Sequence, residues 1–276
     1  MRHSRLLPTG ALIAVTACAV PEEQEVSLGA EAASEINAQV PLVEDAYVVG
    51  YVQRLGQEIA DQTERRDLTW HFHVVDSPQI NAFALPGGYV YLNRGLIEAT
   101  GSVSELAGVL GHEIGHIVQR HSIEQMQKHT GTSVGIAILC SVTNACESDI
   151  GRAAVQVGGS FVLARYSRRD ELEADSEAVV NVMRAGIHPA GVPQLFERLL
   201  EARESEPSEL ESWFASHPLE ESRINAATEM IARLAPEELQ GLRTDDAEYA
   251  RFRQRVATLP PSPEVPAPEA LGQPLP

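Results

Sequence analysis

The 276-residue sequence has almost no lysine: Lys128 stands alone against twenty arginines. Cations are scarce overall, because 21 basic residues face 39 acidic ones and leave a formal net charge of −18. This shortage excludes a nucleic-acid-binding protein, whose affinity depends on neutralising phosphates. It also excludes electrostatic docking on an anionic membrane surface. Aromatic residues are few at 5%, but a hydrophobic fraction of 43% excludes wholesale disorder.

The N-terminus lacks an apolar run long enough for a membrane span. Residues 1–18 combine two arginines with a short apolar stretch that ends in small residues. This pattern is typical of a secretory signal, whereas a spanning helix needs about 20 apolar residues. Residues 15–18 resemble a bacterial lipobox, in which the cysteine is lipidated, and ordinary cleavage beside an incidental cysteine is the alternative. We expect residues 1–17 to be a lipoprotein signal peptide and Cys18 to carry a lipid anchor.

Cysteine is also scarce, with three residues in the whole chain. Lipidation of Cys18 would leave Cys140 and Cys146, six positions apart, in a chain sent to an oxidising compartment. They could form a disulfide there, and two free thiols are the alternative. The absence of a CxxC pair argues against zinc–thiolate and thioredoxin-like sites.

The rest of the chain divides by composition into a tether, one domain and a tail. Residues 18–40 are polar and acidic, which favours a tether, and residues 259–276 are rich in proline, which favours a disordered tail. Between them, residues 41–258 form the expected domain. Apolar spacing and strand-forming residues predict its elements. They are helices near 41–60, 102–127, 168–185, 191–203, 219–234 and 246–257, and strands at 69–75 and 89–92.

The helix over 102–127 carries the pattern His112-Glu113-Ile114-Gly115-His116. Residues four apart share a helical face, so both imidazoles can reach one ion, and zinc prefers such ligands. Glu113 lies beside that face, where it can deprotonate activated water. A chance match is the alternative, but two unpaired histidines on a largely apolar helix would be costly. The pattern therefore indicates one zinc ion per chain.

A third ligand is predicted in the helix over 168–185. Glu171 and Asp175 are four residues apart and share a face, whereas Glu173 points about 200° away from Glu171. We therefore expect Glu171 to bind the metal and Asp175 to fix the tautomer of a ligand histidine. An exposed acidic helix face is the alternative.

Four motifs in this order strongly resemble the M48 zinc peptidases, over roughly residues 40–235. They are the segment 81–91 that ends in Gly88, Tyr89, Val90 and Tyr91, then HEIGH, then ELEAD, and finally His217-Pro218 followed by Arg223-Ile224. The resemblance implies that His112, His116 and Glu171 bind zinc, that Glu113 is the general base and acid, and that Asp175 supports His112. It also implies a mostly helical α+β, zincin-like fold with a small sheet packed on the active-site helix.

The chain lacks the second hydrophobic span of the membrane-integral branch and looks like the periplasmic lipoprotein-type members. We therefore expect the protein to be located at the periplasmic face of the outer membrane, held there by its lipid anchor. In similar members the histidine that matches His217 can approach the zinc, so we hypothesise that His217 occupies the open position until substrate displaces it; a solvated loop histidine is the alternative. Arg223 could stabilise the oxyanion of the tetrahedral intermediate, and an ordinary surface cation is the alternative.

The function expected from these residues is metalloendopeptidase cleavage of unfolded or misassembled cell-envelope proteins. Strand 89–92, including Gly88 to Tyr91 as substrate-binding residues, is the candidate edge for an extended peptide. Unfolded polypeptides are the expected substrates, and the outer-membrane protein assembly machinery is a candidate partner. A zinc-stabilised, chaperone-like assembly factor that binds without cutting is the alternative, which Glu113 disfavours because metal binding alone does not need it.

Overall fold

The computed structural model describes residues 20–130, 166–205, 213–218 and 220–263, and it shows the expected α+β fold. The helices are α1 (Glu22–Gln39), α2 (Ala46–Ala60), α3 (Arg94–Ala99), α4 (Val103–Val118), α5 (His121–Thr130), α6 (Arg168–Arg184), α7 (Gly191–Ser205), α8 (Glu221–Ala232), α9 (Pro236–Leu239) and α10 (Ala247–Ala257). The strands are β1 (His71–Val75), β2 (Ala82–Leu85) and β3 (Tyr89–Asn93). The domain helices and strands predicted from the sequence are present, with two differences. Helix α2 begins at Ala46 and not near residue 41, where Leu42 forms a bridge to Val75, and the helix over 102–127 is divided as described below.

The three strands form one sheet in the order β1–β3–β2. Strand β3 is central, parallel to β1 on one side and antiparallel to β2 on the other. The expectation that residues 89–92 offer an edge to substrate is therefore wrong, because both sides of β3 already pair with neighbouring strands. Of the two outer strands, β2 packs against α4.

Helix α4 lies at the centre of the core and is buried from Val103 to Ile117. The Ser102 hydroxyl caps it by accepting a hydrogen bond from the Glu105 backbone N–H, at 3.2 Å. Its most extensive packing is against α6. Gly115 permits this approach, since a Cβ at that position would lie 2.8 Å from the Ala174 carbonyl oxygen. The two helices that carry the predicted metal ligands are therefore held at close range.

The single helix predicted over 102–127 is two helices, α4 and α5. The break lies at Gln119 and Arg120, where Arg120 adopts a left-handed backbone conformation with φ of 58°. The Arg120 side chain points from this turn towards α1 and the residues before it. Its Nε lies 2.8 Å from Glu25 Oε2, and its guanidinium donates to the Val20 carbonyl at 2.6 Å. The turn brings His121, the first residue of α5, back towards α4.

The tether expected over 18–40 is largely a docked helix. Helix α1 packs Ala32, Ala33 and Ile36 against the apolar side chains of the sheet, and Glu25 is fully buried. Its small buried residues give a weak apolar pattern, which is why the composition indicated a tether. The start of the expected tail also lies on the domain, because the Arg94 guanidinium donates to the carbonyls of Leu259 and Pro260.

Several sequence predictions lie outside the described residues. They are the signal peptide, the lipidation site Cys18, the cysteine pair Cys140 and Cys146, and residues 264–276 of the tail. Within the described ranges, no helix is both long enough and apolar enough to cross a membrane.

Candidate active site

The two histidines of α4 meet on its buried face. His112 and His116 are one helical turn apart, and their Nε2 atoms lie 3.1 Å from each other. Neither side chain is exposed to solvent. Burial lowers the pKa of His116 well below its usual range, so its imidazole is held in the neutral form that binds metals. The predicted helical spacing thus produces a convergent pair of nitrogen donors.

Helix α6 brings Glu171 to the same point. A capping box fixes the start of this helix: Ser167 Oγ accepts from the Asp170 N–H at 3.2 Å, and the Asp170 carboxylate accepts from the Ser167 N–H at 2.9 Å. Glu171 Oε1 lies 3.5 Å from His116 Nε2, and Oε2 lies 3.6 Å from His112 Nε2. Burial would raise the pKa of Glu171, but His217 and Arg223 outweigh it and lower this pKa, which keeps the carboxylate charged.

His217 completes the group from the short segment 213–218. Its Nδ1 lies 3.1 Å from Glu171 Oε1 and 3.3 Å from His112 Nε2. The backbone N–H of His217 donates to the Trp213 carbonyl at 2.8 Å, and the two rings lie 4.8 Å apart. Burial would lower the pKa of His217, but the negative Glu171 and Glu113 raise it overall. The structure therefore places this histidine among the predicted ligands.

The donor set fits a divalent metal ion. One atom from each of His112, His116, Glu171 and His217 lies within 4.8 Å of the others, and all four residues are buried. Three imidazole nitrogens and one carboxylate suit zinc. The carboxylates of Glu113, Glu171 and Asp175 are buried here beside the guanidinium of Arg223, and a divalent cation would add positive charge to this acidic group.

Glu113 lies beside the donors without a role in the protein's own hydrogen bonding. Its side chain is fully buried, and neither carboxylate oxygen has a hydrogen-bond partner among the described residues. Oε1 lies 3.6 Å from His217 Nε2. Burial raises the pKa of Glu113, although the neighbouring histidines partly oppose that shift. A buried carboxylate without hydrogen bonds and with a raised pKa is suited to proton transfer.

Asp175 and Arg223 form a buried ion pair behind the donors. Asp175 Oδ1 lies 2.9 Å from His112 Nδ1, as expected for a carboxylate that orients a ligand. Arg223 donates to both Asp175 oxygens, at 2.7 and 2.8 Å, contacts Glu171, and donates to the Pro218 carbonyl at 3.1 Å. The guanidinium is therefore engaged by protein groups, and the expected oxyanion role gives way to one of holding Asp175 and Glu171.

His121 and Tyr166 lie next to His116 and are not among the site residues predicted from the sequence. His121 Nδ1 lies 2.9 Å from His116 Nδ1, and His121 Nε2 lies 3.3 Å from Glu173 Oε2. The Tyr166 ring stacks on the His116 ring with centroids 3.9 Å apart. The helical spacing predicts that Glu173 points away from Glu171 and does not bind the same ion. Its contact with His121 depends on the turn at Arg120, which no local pattern predicts.

Comparisons with known proteins agree with this geometry. The family model for peptidase family M48 matches residues 48–231, about two thirds of the chain. The Beta-barrel assembly-enhancing protease of Escherichia coli strain K12 is 29% identical over 238 residues, which cover 83% of this chain and 48% of that protein. The same-named protein of Yersinia pestis is 29% identical over 222 residues, covering 78% of this chain and 45% of that protein.

A relative from a eukaryote matches the same region. The Mitochondrial metalloendopeptidase OMA1 of Schizosaccharomyces pombe is 30% identical over 181 residues, covering 66% of this chain and 52% of that protein. The chain thus spans about half the length of the curated relatives it matches. With the family match extending from α2 to the end of α8 and including all the metal-site residues, the chain belongs to peptidase family M48.

Proposed function

We propose that this protein is a zinc-dependent endopeptidase that cleaves unfolded or misassembled cell-envelope proteins. The observation that carries the proposal is Glu113, which is fully buried beside four convergent metal donors and has no hydrogen bond to the described residues. A buried carboxylate without hydrogen bonds is costly to retain. A structural metal site would not need it, whereas hydrolysis needs a base at this position.

The catalytic step uses Glu113 for proton transfer. His112, His116 and Glu171 would hold the zinc, which when bound supplies a Lewis acid for the scissile carbonyl and for water. Glu113 accepts a proton from the attacking water and then delivers it to the leaving amine. Asp175 and Arg223 keep His112 and Glu171 in position through the contacts given above.

The substrate is proposed to bind along the outer edge of β2. Among the described residues, β2 pairs with β3 alone, and it packs against α4, the helix of the metal ligands. An extended peptide can add to an exposed sheet edge through backbone hydrogen bonds. All four residues of β2 are buried, so this edge has to be uncovered before a peptide can pair with it. Because these bonds do not depend on side chains, this mode suits unfolded chains of many sequences. In this proposal β2 takes the substrate-pairing role that was expected for Gly88 to Tyr91.

The cellular setting is proposed from the sequence and from the names of relatives. The bacterial relatives are named for enhancing β-barrel assembly, which supports substrates or partners in outer-membrane protein assembly for this chain. The lipobox-like residues 15–18 support a lipid anchor at Cys18 on the periplasmic face of the outer membrane. Loss of labelling by a fatty-acid analogue in Cys18→Ser is the expected result; equal labelling of both proteins would contradict the anchor.

Digestion of denatured casein tests the activity directly. We expect cleavage by the zinc-loaded protein, loss of cleavage with a chelator, and loss in Glu113→Gln with zinc still bound. Glu177→Gln is the matched control, because Glu177 lies on α6 and bonds to Gln119 and Asn181 outside the donor group. A zinc-loaded wild-type protein that binds unfolded casein without cutting it would instead favour the chaperone-like alternative.

A further inference from the structure

We propose that His121 is a positioning residue that, together with Glu173, fixes the orientation and tautomer of His116. The proposal rests on the zinc site proposed above, because it concerns how one ligand of that site is held. His121 and Glu173 belong to different helices, α5 and α6, and neither is a metal ligand in this arrangement.

The contacts determine where each proton lies. Two imidazole nitrogens 2.9 Å apart must share one proton, so either His116 Nδ1 or His121 Nδ1 donates. If His116 binds metal through Nε2, its proton is on Nδ1 and His121 Nδ1 accepts. The neutral His121 then carries its own proton on Nε2, which faces Glu173 Oε2 at 3.3 Å. Each group in this hydrogen-bond chain from His116 through His121 to Glu173 thus has one consistent role as donor or acceptor. The Glu173 carboxylate accepts the last hydrogen bond of the chain.

The surrounding structure holds this chain in place. His121 is 1% exposed, so its ring is not free to turn into solvent. The Tyr166 ring stacks on the His116 ring, and the Tyr166 hydroxyl shares a hydrogen bond of 2.9 Å with Ser122 Oγ. Glu173 Oε1 accepts from Arg169 Nε at 2.8 Å, which neutralises the exposed end of the chain.

The arrangement on His116 parallels that on His112 with one difference. His112 Nδ1 faces the Asp175 carboxylate directly, whereas a neutral imidazole separates His116 from Glu173. A carboxylate in direct contact increases ligand basicity more than a neutral acceptor does. We therefore expect removal of the His121 acceptor to weaken zinc binding less than removal of Asp175.

The main rival explanation is a second metal site. One atom each of His121, Asp170 and Glu173 lies within a mutual distance of 4.8 Å, so the three could in principle hold an ion. In the proposed chain, however, His121 Nε2 carries a proton and cannot ligate. Asp170 caps α6 and Glu173 accepts from Arg169, so both carboxylates already have partners. The proposal therefore requires one zinc ion per chain.

A pair of substitutions at His121 separates hydrogen bonding from packing. His121→Phe keeps a ring but removes the acceptor, whereas His121→Asn can place an amide oxygen near the position of Nδ1. His71→Phe is the matched control, since His71 is a half-buried histidine of β1 stacked on Tyr89 at 4.5 Å. Zinc affinity is measured by competition with a chromophoric chelator, and the site geometry by the visible spectrum of the Co²⁺-substituted protein.

We expect His121→Phe to weaken zinc binding about 10- to 100-fold and to shift the Co²⁺ spectrum, the range typical of residues that orient metal ligands. His121→Asn should recover most of the affinity, and His71→Phe should match the wild type. Equal affinity in the Phe variant and the wild type, or equal losses in the Phe and Asn variants, would overturn the proposal. So would two zinc ions in the wild type with one lost in His121→Phe.

Glu173→Ala keeps the proposal testable if His121→Phe does not fold. Glu173 lies at the edge of the structure, with its side chain 36% exposed, so its truncation is structurally mild. We expect Glu173→Ala to lose less zinc affinity than His121→Phe. An affinity equal to that of the wild type would contradict the proposed hydrogen-bond chain. Failure of the proposed function is distinguishable from these results, because it would appear as a wild-type protein that does not bind zinc or does not cleave casein.

Discussion

At the residue scale, His217 stands between the metal donors and the proposed base. Its Nδ1 lies 3.1 Å from Glu171, and its Nε2 lies 3.6 Å from Glu113. An imidazole in this place would occupy the position that catalytic zinc keeps open for water. It would also separate Glu113 from any substrate there. The sequence hypothesis that His217 represses the enzyme at rest thus remains a prediction with a defined geometry.

We predict that His217→Ala raises peptidase activity. If the histidine occupies the open position for about 90% of the time, its removal should raise the apparent kcat/KM about tenfold. The measurement is casein or peptide cleavage at equal zinc content, with His188→Ala as a control, since His188 accepts from the Ala190 N–H in a loop. Unchanged or lower activity would show that His217 serves catalysis or zinc binding instead.

Arg223 is the second residue whose position decides its role. Truncation to alanine would leave Asp175 and Glu171 buried without their cation. Breaking a buried ion pair in this way costs roughly 3–5 kcal/mol. We predict a loss of that order in the free energy of unfolding, measured by denaturant titration, and weaker zinc binding.

The exposed pair of Arg233 with Glu229 provides the control for that prediction. Arg233→Ala removes an arginine of the same type from a surface ion pair, whose contribution is about 0–1 kcal/mol. If Arg223→Ala were as stable as Arg233→Ala and lost only kcat, the oxyanion role expected from the sequence would be restored.

At the element scale, the docking of α1 depends on close backbone contact as well as on charge. Glu25 is fully buried and pairs with Arg65 at 3.3 Å and with Arg120 at 2.8 Å. One turn further along the helix, Gly29 lies against the turn that precedes β3. A Cβ on Gly29 would lie 1.9 Å from the Pro86 carbonyl oxygen. The helix is thus fixed at the turn and, through Arg120, at the end of α4.

We predict that Gly29→Ala displaces α1 although alanine is the better helix former. The added Cβ would clash with backbone atoms, so the helix has to shift. The free energy of unfolding should fall by about 1–3 kcal/mol, the typical cost of overpacking. Amide hydrogen exchange over residues 22–39 should become faster. Ser27→Ala, on the exposed side of the same helix, should leave exchange unchanged. Equal protection in both variants would mean that α1 is not held by this contact.

The elements themselves show where sequence periodicity succeeds and fails. Helix α2 was predictable from its apolar spacing, although it begins at Ala46 and not near residue 41, and α6 was predictable because Gly186 and Pro189 mark its end. Helix α1 was not, because alanines and Ile36 dominate its buried face. The break at Arg120 and the central place of β3 depend on contacts distant in sequence. A local pattern identifies a strand but not which strands will pair with it.

At the scale of the whole molecule, the active site joins elements from distant parts of the chain. His112, Glu113 and His116 follow from one helical motif, and Glu171 and Asp175 from the spacing within another. Their convergence was inferred from the need of a zinc site for a third ligand and was also implied by the family resemblance, and the structure places them together. His121 and its contact with Glu173 were not predicted, because this contact requires the turn after α4 and the close packing of α4 on α6.

Removal of the metal should destabilise this assembly. Glu113, Glu171 and Asp175 are buried with Arg223 as their only neighbouring arginine in the described site, and a chain of net charge −18 has few cations to spare. Because zinc binds the folded site and not the unfolded chain, it should stabilise the fold by about 4 kcal/mol at a thousandfold excess over Kd. For a domain of this size, that corresponds to a rise in Tm of roughly 10 °C. Thermal unfolding with zinc and with a chelator measures the difference, and His112→Ala/His116→Ala should show almost none of it. An identical Tm with and without zinc in the wild type would mean that the fold balances its buried carboxylates without a cation.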